Sequence, residues 1–162
     1  MKPSLNFLSA SKLAAMLRAG EITSRQTVEA YFAQIKKQNP TYNAIVTLNE
    51  TQTLAQADQA DQALRDGKPC GPMHGVPITI KDTYRVKGSR TTVGYLPLKD
   101  YVPDSDAVAV KLLKEAGAII VGRTNTPTLA MDMQTDNPIF GKTNNPWDVE
   151  RTPAVFNGAS AT

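Results

Sequence analysis

The segment SDAVAVKLLKEAGAIIVG, residues 105–122, restricts the fold more than any other part of the chain. Ser105 or Asp106 can cap a helix with apolar residues at helical spacing, and Gly117 is suited to end it. The run AIIVG that follows is short and continuously apolar, which is typical of a strand buried on both faces of a sheet. A second such run, VPITIKD, precedes the helix, and strands separated by a helix indicate an α/β sheet with some parallel pairing. The helix residues expected to face inward are Val108, Leu112 and Leu113.

Two short amphipathic helices are predicted at the start of the chain. Ser9 or Ser11 caps the first, and Gly20 ends it. Ser24 caps the second, which is expected to end at Asn39-Pro40 because the residue before a proline avoids the helical region.

The segment between the opening helices and VPITIKD supplies one more strand and one more helix. YNAIVTLN, residues 42–49, is rich in β-branched residues and predicts a strand, and the Ala/Gln/Asp-rich run after it predicts a solvated helix that ends at Gly67. The expected fold is therefore α/β, with a mixed sheet flanked by helices, a helical opening over about residues 9–39 and an α/β portion over about residues 42–162.

The charge distribution argues against nucleic-acid binding. The net charge of +3 comes from 18 Lys+Arg against 15 Asp+Glu, and no basic run exceeds the pair Lys36-Lys37. Phosphate binding needs a clustered basic stripe with stacking aromatic side chains. No nucleic-acid partner is expected.

The low content of cysteine and histidine and the hydropathy of the chain argue against disulfides, histidine-based metal sites and membrane spans. The single Cys70 cannot form an internal disulfide and fits a reducing compartment, and the single His74 rules out a histidine-based metal cluster. No segment approaches the roughly 18 apolar residues of a membrane span, and polar residues interrupt the N-terminal stretch. The expected protein is cytoplasmic, with no membrane partner and no metal.

Lys81 directly follows the apolar run VPITI, and its residue type leaves two interpretations open. A lysine at a strand end is usually a solvated charge with a buried stem. Alternatively, ligands bind outside the carboxyl ends of strands in open α/β sheets, and a lysine in an apolar pocket loses its charge and becomes a general base.

The stretch GPMHGVPITIKDTYRVKGSRTTVGY resembles the amidase signature family around its catalytic lysine. Members carry Gly-Pro, His-Gly and a proline ahead of an apolar strand, then Lys-Asp and a Thr-Thr-x-Gly loop. SDAVAVKLLKEAGAIIVGRTNTPTLAM resembles the helix and strand that follow in the family, and QTDNPIFGKTNNPWDVERTP resembles the approach to its serine-rich segment. The matching residues of the first stretch are Gly71, Pro72, His74, Gly75, Pro77, Lys81, Asp82, Thr91, Thr92 and Gly94.

The resemblance implies that the chain is the N-terminal portion of a single amidase-signature domain, covering residues 1–162. It implies hydrolysis of a carboxamide C–N bond by a Ser–cis-Ser–Lys triad without a cofactor, with a small amide as substrate. Lys81 takes the role of the base and Asp82 positions a loop. The other residues implied to shape the site are Thr91, Thr92, Gly94, Met131, Thr135, Asp136 and Asn137.

The chain departs from the family pattern after RTP, where members have Gly-Gly-Ser-Ser-Gly-Gly. Here the residues are AVFNGASAT, so Phe156 occupies the position of the bridging serine and cannot relay a proton. The nucleophilic serine of the family lies beyond Thr162. The chain is therefore expected to be part of an amidase-family hydrolase and to be inactive alone. The alternative is a non-catalytic fragment or pseudoenzyme that acts only by association.

Two further expectations concern substrate and association. Residues Asp132, Met133 and Gln134 stand where many members have Gly-Gly-Ser, which favours small or aryl amides over the amidation of tRNA-bound glutamate. A chain that stops at Thr162 is expected to leave a strand edge and an apolar face uncovered, and hence to self-associate.

Overall fold

The computed structural model describes residues 4–68 and 70–153. Within these ranges the chain forms four helices, three strands and three short 3-10 turns, and none of the helices is long and apolar enough to cross a membrane. The helices are α1 (Ala10–Arg18), α2 (Ser24–Tyr42), α3 (Glu50–Arg65) and α4 (Val108–Glu115), and the strands are β1 (Ile45–Thr47), β2 (Pro77–Lys81) and β3 (Ile119–Thr124).

The three strands form one sheet in the order β1-β3-β2. β1 pairs with β3 in antiparallel fashion. β2 and β3 are parallel, since the amide of Ile119 donates to the carbonyl of Val76 at one end and the amide of Asp82 donates to that of Thr124 at the other. The predicted α/β fold with a mixed sheet and two opening helices is confirmed, although the first strand is shorter than the predicted 42–49.

The start of α2 differs by one residue from the prediction. Ser24 is the first residue of the helix, and Thr23 caps it: Thr23 Oγ1 accepts from the amide of Gln26 at 3.0 Å, while Gln26 Oε1 accepts from the amide of Thr23 at 3.1 Å. This reciprocal pair is a capping box. The carboxylate of Asp61 on α3 accepts from the amides of Ser24 and Arg25, so a second side chain satisfies this helix end.

The predicted end of α2 at Asn39-Pro40 is also wrong, because the helix continues through Pro40 to Tyr42. Only two helical residues follow the proline before Asn43 adopts a φ of +50°, so few intrahelical bonds are affected. The Asn39 side chain satisfies the backbone just after the helix, since its Oδ1 accepts from the amides of Ala44 and Ile45.

The face that α4 buries is only partly the predicted one, since Leu113 is half-buried as expected but Val108 and Leu112 are not. Val108 and Leu112 are 76% and 59% exposed, and Val110 is the buried residue of this helix. Successive helical residues are about 100° apart, so Val110 lies on the side of the helix opposite Val108. The burial of α4 is thus shifted by about half a turn from the predicted stripe.

The described residues form two compact units. The first takes in residues 4–36, 49–78 and 111–121, and the second residues 37–48, 79–110 and 122–153. The first unit holds two apolar clusters. One is centred on Val28, Phe32, Ala57, Ile119 and Val121, and the other on Ala14, Leu17 and Val76.

Candidate active site

Lys81 is the last residue of β2 and Thr124 is the last residue of β3. Because the two strands are parallel, their carboxyl ends lie at the same edge of the sheet, where ligands bind in open α/β folds. The carbonyl of Lys81 accepts from the amide of Tyr84 at 3.1 Å, which forms a turn directly after the strand. The residues discussed below all belong to the second unit.

The Lys81 side chain is half-buried, and this burial lowers the pKa of its amine below the ordinary lysine value. Loss of hydration penalises the ammonium form and leaves the neutral amine comparatively unaffected. As the pH rises, the neutral amine is therefore populated earlier than in an exposed lysine. The neutral amine is the form that can accept a proton from a substrate or a hydroxyl group.

Asp82 is fully buried and connects the end of β2 to the loop at residues 91–94. Its Oδ2 accepts three hydrogen bonds, from Thr92 Oγ1 at 2.6 Å, from the Thr92 amide at 3.0 Å and from the Val93 amide at 3.1 Å. Thr92 Oγ1 in turn accepts from the Gly94 amide at 3.0 Å. These hydrogen bonds tie the end of β2 to the loop at residues 91–94.

Arg123 is not among the residues predicted from the sequence, yet it is the largest fully buried side chain in the described part of the chain, at 1% exposure. Its Nη2 lies 3.3 Å from Asp82 Oδ1, an ion pair without hydrogen-bond geometry. Nη1 donates to Thr91 Oγ1 at 3.2 Å, and Nη2 donates to the carbonyls of Lys81 and Tyr84. A charged residue next to the apolar run AIIVG is the sequence signal that could have identified it, since buried charges require partners.

The loop that Asp82 holds has an unusual backbone. Val93 and Gly94 adopt φ values of +54° and +62°, and Leu129 adopts +54°. The Leu129 amide donates to the Val93 carbonyl at 2.8 Å, and Thr128 Oγ1 donates to the Gly94 carbonyl at 3.2 Å. Positive φ is costly for a β-branched residue such as Val93, and such strain concentrates at functional sites.

Replacement of Gly94 by alanine is expected to destabilise the protein by about 2–4 kcal/mol. Positive φ disfavours a side chain at this position, and an added Cβ would lie 2.9 Å from Cβ of Asn137. Urea unfolding followed by far-ultraviolet circular dichroism measures the decrease in the free energy of unfolding. Gly88→Ala is the matched control, because Gly88 has a φ of +73° with no heavy atom within 4 Å of an added Cβ. Equal losses in the two variants would show that the contact with Asn137 contributes nothing.

Asn137 is the centre of a second buried network. Its Nδ2 donates to Asn125 Oδ1 and to the Thr126 carbonyl, both at 2.8 Å, and its Oδ1 accepts from the amides of Ile139 and Phe140. Asn125 Nδ2 donates onward to the Gly141 carbonyl at 3.0 Å. The network fixes the segment after β3, and Gly94 lies against it.

The structure divides the predicted site-shaping residues into two groups. Asp82, Thr91, Thr92, Thr135 and Asn137 are buried, whereas the side chains of Met131 and Asp136 are exposed. Phe156, at the position predicted for a bridging serine, lies outside the described residues. Asp82, Thr91 and Thr92 are linked by hydrogen bonds at the end of β2, and Asn137 is bonded to the segment that follows β3. The exposed pair does not take part in these hydrogen bonds.

The model of the protein family described as Amidase matches residues 26–161. The chain is 41% identical over 155 residues to a glutamyl-tRNA(Gln) amidotransferase component of Lachnoclostridium phytofermentans, covering 95% of this chain and 31% of that protein. Among solved structures, fatty acid amide hydrolase superimposes with a TM-score of 0.90 at 28% identity, covering 99% of this chain and 29% of that one. A bacterial aryl acylamidase of the amidase signature family superimposes with a TM-score of 0.88 at 25% identity. The match covers 96% of this chain and 33% of that one. This chain thus spans about a third of the length of the proteins that it matches.

Proposed function

Because this chain belongs to the amidase signature family, we propose that it carries the general-base lysine of an enzyme that hydrolyses carboxamide C–N bonds. The observation that carries the proposal is the position and environment of Lys81. It ends a strand at the edge of the sheet, its burial lowers the pKa of its amine, and a buried network holds its backbone. The family matches the one that the sequence motifs resemble.

The chemistry proposed for Lys81 is the removal of a proton from a serine hydroxyl. A serine is a weak nucleophile until a base accepts its proton, and a lysine can accept it only as the neutral amine. The serine then attacks the amide carbon. The proton taken up by the lysine passes to the leaving nitrogen as the C–N bond breaks, and water then releases the acid. In this scheme Asp82, Thr92 and Gly94 contribute by holding the loop beside the lysine.

The proposed substrate is defined only by its C–N bond. The names of the similar proteins refer to a fatty acid amide, an aryl acylamide and glutamyl-tRNA(Gln). The relative at 41% identity is named for glutamyl-tRNA(Gln). That name does not support the preference for small or aryl amides that was drawn from Asp132, Met133 and Gln134.

We further propose that the 162-residue chain is inactive by itself. Phe156 has no exchangeable proton on its side chain, so it cannot pass a proton from a nucleophile to Lys81. Loss of one member of a catalytic triad typically costs several orders of magnitude in rate.

The test is an assay of the purified chain, with its mass verified, on a simple aryl amide. The expected result is release of the aryl amine at the rate of the uncatalysed reaction. Turnover above that rate, if Lys81→Ala abolished it, would show that the chain has a complete catalytic site.

The second candidate function is non-catalytic association, and the sheet edge favours it. β1 and β2 are the outer strands of the sheet formed by the described residues, and an outer strand offers backbone groups to another chain. Exposed apolar side chains also favour association, since Trp147 is 94% exposed and Met131 is 83% exposed. The proposed partner is a second copy of this chain.

Sedimentation velocity is expected to show species heavier than the monomer at micromolar concentration, together with binding of an apolar dye. Thr79→Lys on β2 is expected to shift the distribution toward the monomer, because a charge on an edge strand opposes pairing. Gln59→Lys on the exposed face of α3 is the control for added charge. A monodisperse monomer without dye binding would contradict self-association.

A further inference from the structure

The two units of the described chain differ in the side chains that they bury. Proline aside, fifteen apolar side chains are buried in the described residues, ten in the first unit and five in the second. Of the thirteen buried polar side chains in the same residues, ten lie in the second unit. Burial of apolar area is the main favourable term in folding, whereas an internal hydrogen bond contributes little because it replaces a bond to water. The first unit is therefore expected to be the more stable of the two.

Buried polar atoms without hydrogen bonds are concentrated in the second unit. Within residues 4–68 and 70–153, six buried side-chain atoms have no hydrogen-bond partner, and five of them belong to this unit. Each such atom costs free energy, because its bond to water in the unfolded chain is not replaced on folding. The five atoms are Thr47 Oγ1, Asp82 Oδ1, Arg123 Nε, Thr124 Oγ1 and Thr135 Oγ1.

Backbone strain is found in the second unit as well. Four non-glycine residues of the described chain adopt a positive φ, and all four belong to this unit. They are Asn43, Val93, Leu129 and Ala130, with φ values between +50° and +56°. The left-handed region is costly for residues with a side chain, and most of all for the β-branched Val93. The second unit thus combines less apolar burial with more strain.

The hydrogen bonds of the second unit are connected to one another. Asn125 Nδ2 donates to Thr143 Oγ1 at 3.0 Å, and Thr143 Oγ1 donates to the Asn43 carbonyl at 2.8 Å. Asn43 Nδ2 in turn donates to the Phe140 carbonyl at 2.7 Å, and the Phe140 amide donates to Asn137 Oδ1 at 2.9 Å. Loss of one member leaves its neighbours in the interior without partners, so such a network is expected to open as a whole.

We infer that the second unit opens as one cooperative segment while the first unit stays folded, so that the candidate active site is formed and lost in a local equilibrium. Proteins open in such partial steps, and the least stable segments open most often. Asp82 and Arg123, which hold the end of β2, belong to the unit that opens. The inference does not depend on the role proposed for Lys81, and its test needs no turnover.

Hydrogen exchange of single amides in the full chain, measured by NMR spectroscopy, tests this inference. The reporters of the second unit are the amides of Val93, Phe140 and Thr143, which all donate hydrogen bonds within that unit. The reporters of the first unit are the amides of Phe32 on α2 and Ala57 on α3. The protection factor of an amide is its exchange rate in an unstructured chain divided by the measured rate. We expect the three protection factors of the second unit to agree within about threefold and to be at least about tenfold smaller than those of the first.

Leu17→Ala distinguishes a local opening from a global one. Leu17 is 2% exposed and belongs to an apolar cluster of the first unit, so its truncation destabilises every state in which that unit is folded. Global unfolding becomes easier, and exchange at Phe32 and Ala57 is expected to accelerate by about thirtyfold or more. When the second unit opens by itself, the first unit is folded before and after the opening. Exchange at the reporters of the second unit is therefore expected to stay within about twofold of the wild type.

Asn137→Ala is the converse variant, since it removes the centre of a network in the second unit. It destabilises the folded chain relative to the partly open form and to the unfolded form, so the reporters of both units are expected to exchange faster. The inference is overturned if Leu17→Ala accelerates the reporters of the second unit by the same factor as Phe32. Equal protection factors of the two units in the wild type overturn it as well. If Leu17→Ala does not fold, Val28→Ala, a smaller truncation in the other apolar cluster of the first unit, takes its place.

Discussion

Asp82→Ala is expected to lower the free energy of unfolding by about 3–5 kcal/mol, because it leaves the buried Arg123 guanidinium without its counter-ion. The variant also removes the acceptor of three hydrogen bonds from Thr92 and Val93, so the loop at residues 91–94 loses its attachment to β2. Urea unfolding by far-ultraviolet circular dichroism is the suitable measurement. Tryptophan fluorescence is less informative, since the only tryptophan, Trp147, is 94% exposed.

Asp100→Ala is the matched control for Asp82→Ala. The Asp100 side chain is 82% exposed, and its nearest charged partner, Lys99, is 4.0 Å away. Its removal is expected to change the unfolding free energy by no more than about 0.5 kcal/mol. The double variant Asp82→Ala/Arg123→Met is expected to be more stable than Asp82→Ala, since it removes the unpaired charge as well. A loss below about 1 kcal/mol in Asp82→Ala would contradict the structural role of the pair.

Lys81→Ala is expected to reduce kcat/KM for an amide by about a thousandfold or more in an enzyme that contains this site together with the serines of the family. A chimera in which residues 26–153 of this chain replace the aligned segment of the bacterial aryl acylamidase provides such an enzyme. Activity of the parent chimera is expected to rise with pH, with a midpoint below the ordinary lysine value of about 10.4, because burial lowers the pKa of Lys81 and the neutral amine is the active form.

Lys99→Ala in the same chimera is the control for the removal of a lysine. Lys99 lies in the second unit, and its side chain is 63% exposed, so its loss is expected to leave kcat/KM within about twofold of the parent. If Lys81→Ala retained more than a tenth of the parent activity, the general-base role of Lys81 would be wrong.

The strands and helices with the strongest periodicity were predictable from the sequence. The apolar runs around Ile78 and Ile120 do form β2 and β3, and α1 does begin after Ser9, whose side chain accepts from the Lys12 amide at 3.2 Å. Local sequence patterns suffice in these cases, because a cap or an apolar repeat involves neighbours in the chain.

The details that prediction missed depend on residues far apart in the chain. The choice of Thr23 over Ser24 as a cap is accompanied by the contact between α2 and Asp61, and the continuation of α2 past Pro40 is accompanied by the bonds of Asn39 to the start of β1. In each case, tertiary contacts outweigh a modest local preference.

The sequence by itself determined the α/β class, the position of Lys81 at a strand end and the resemblance to the family to which the chain belongs, because these follow from short-range patterns and motifs. Only the tertiary structure decided that Arg123 is buried against Asp82 and bonded to the carbonyl of Lys81. A charged residue in a strand gives no indication of which distant carboxylate will neutralise it. That pairing is fixed when β2 and β3 come together and water is excluded from both charges.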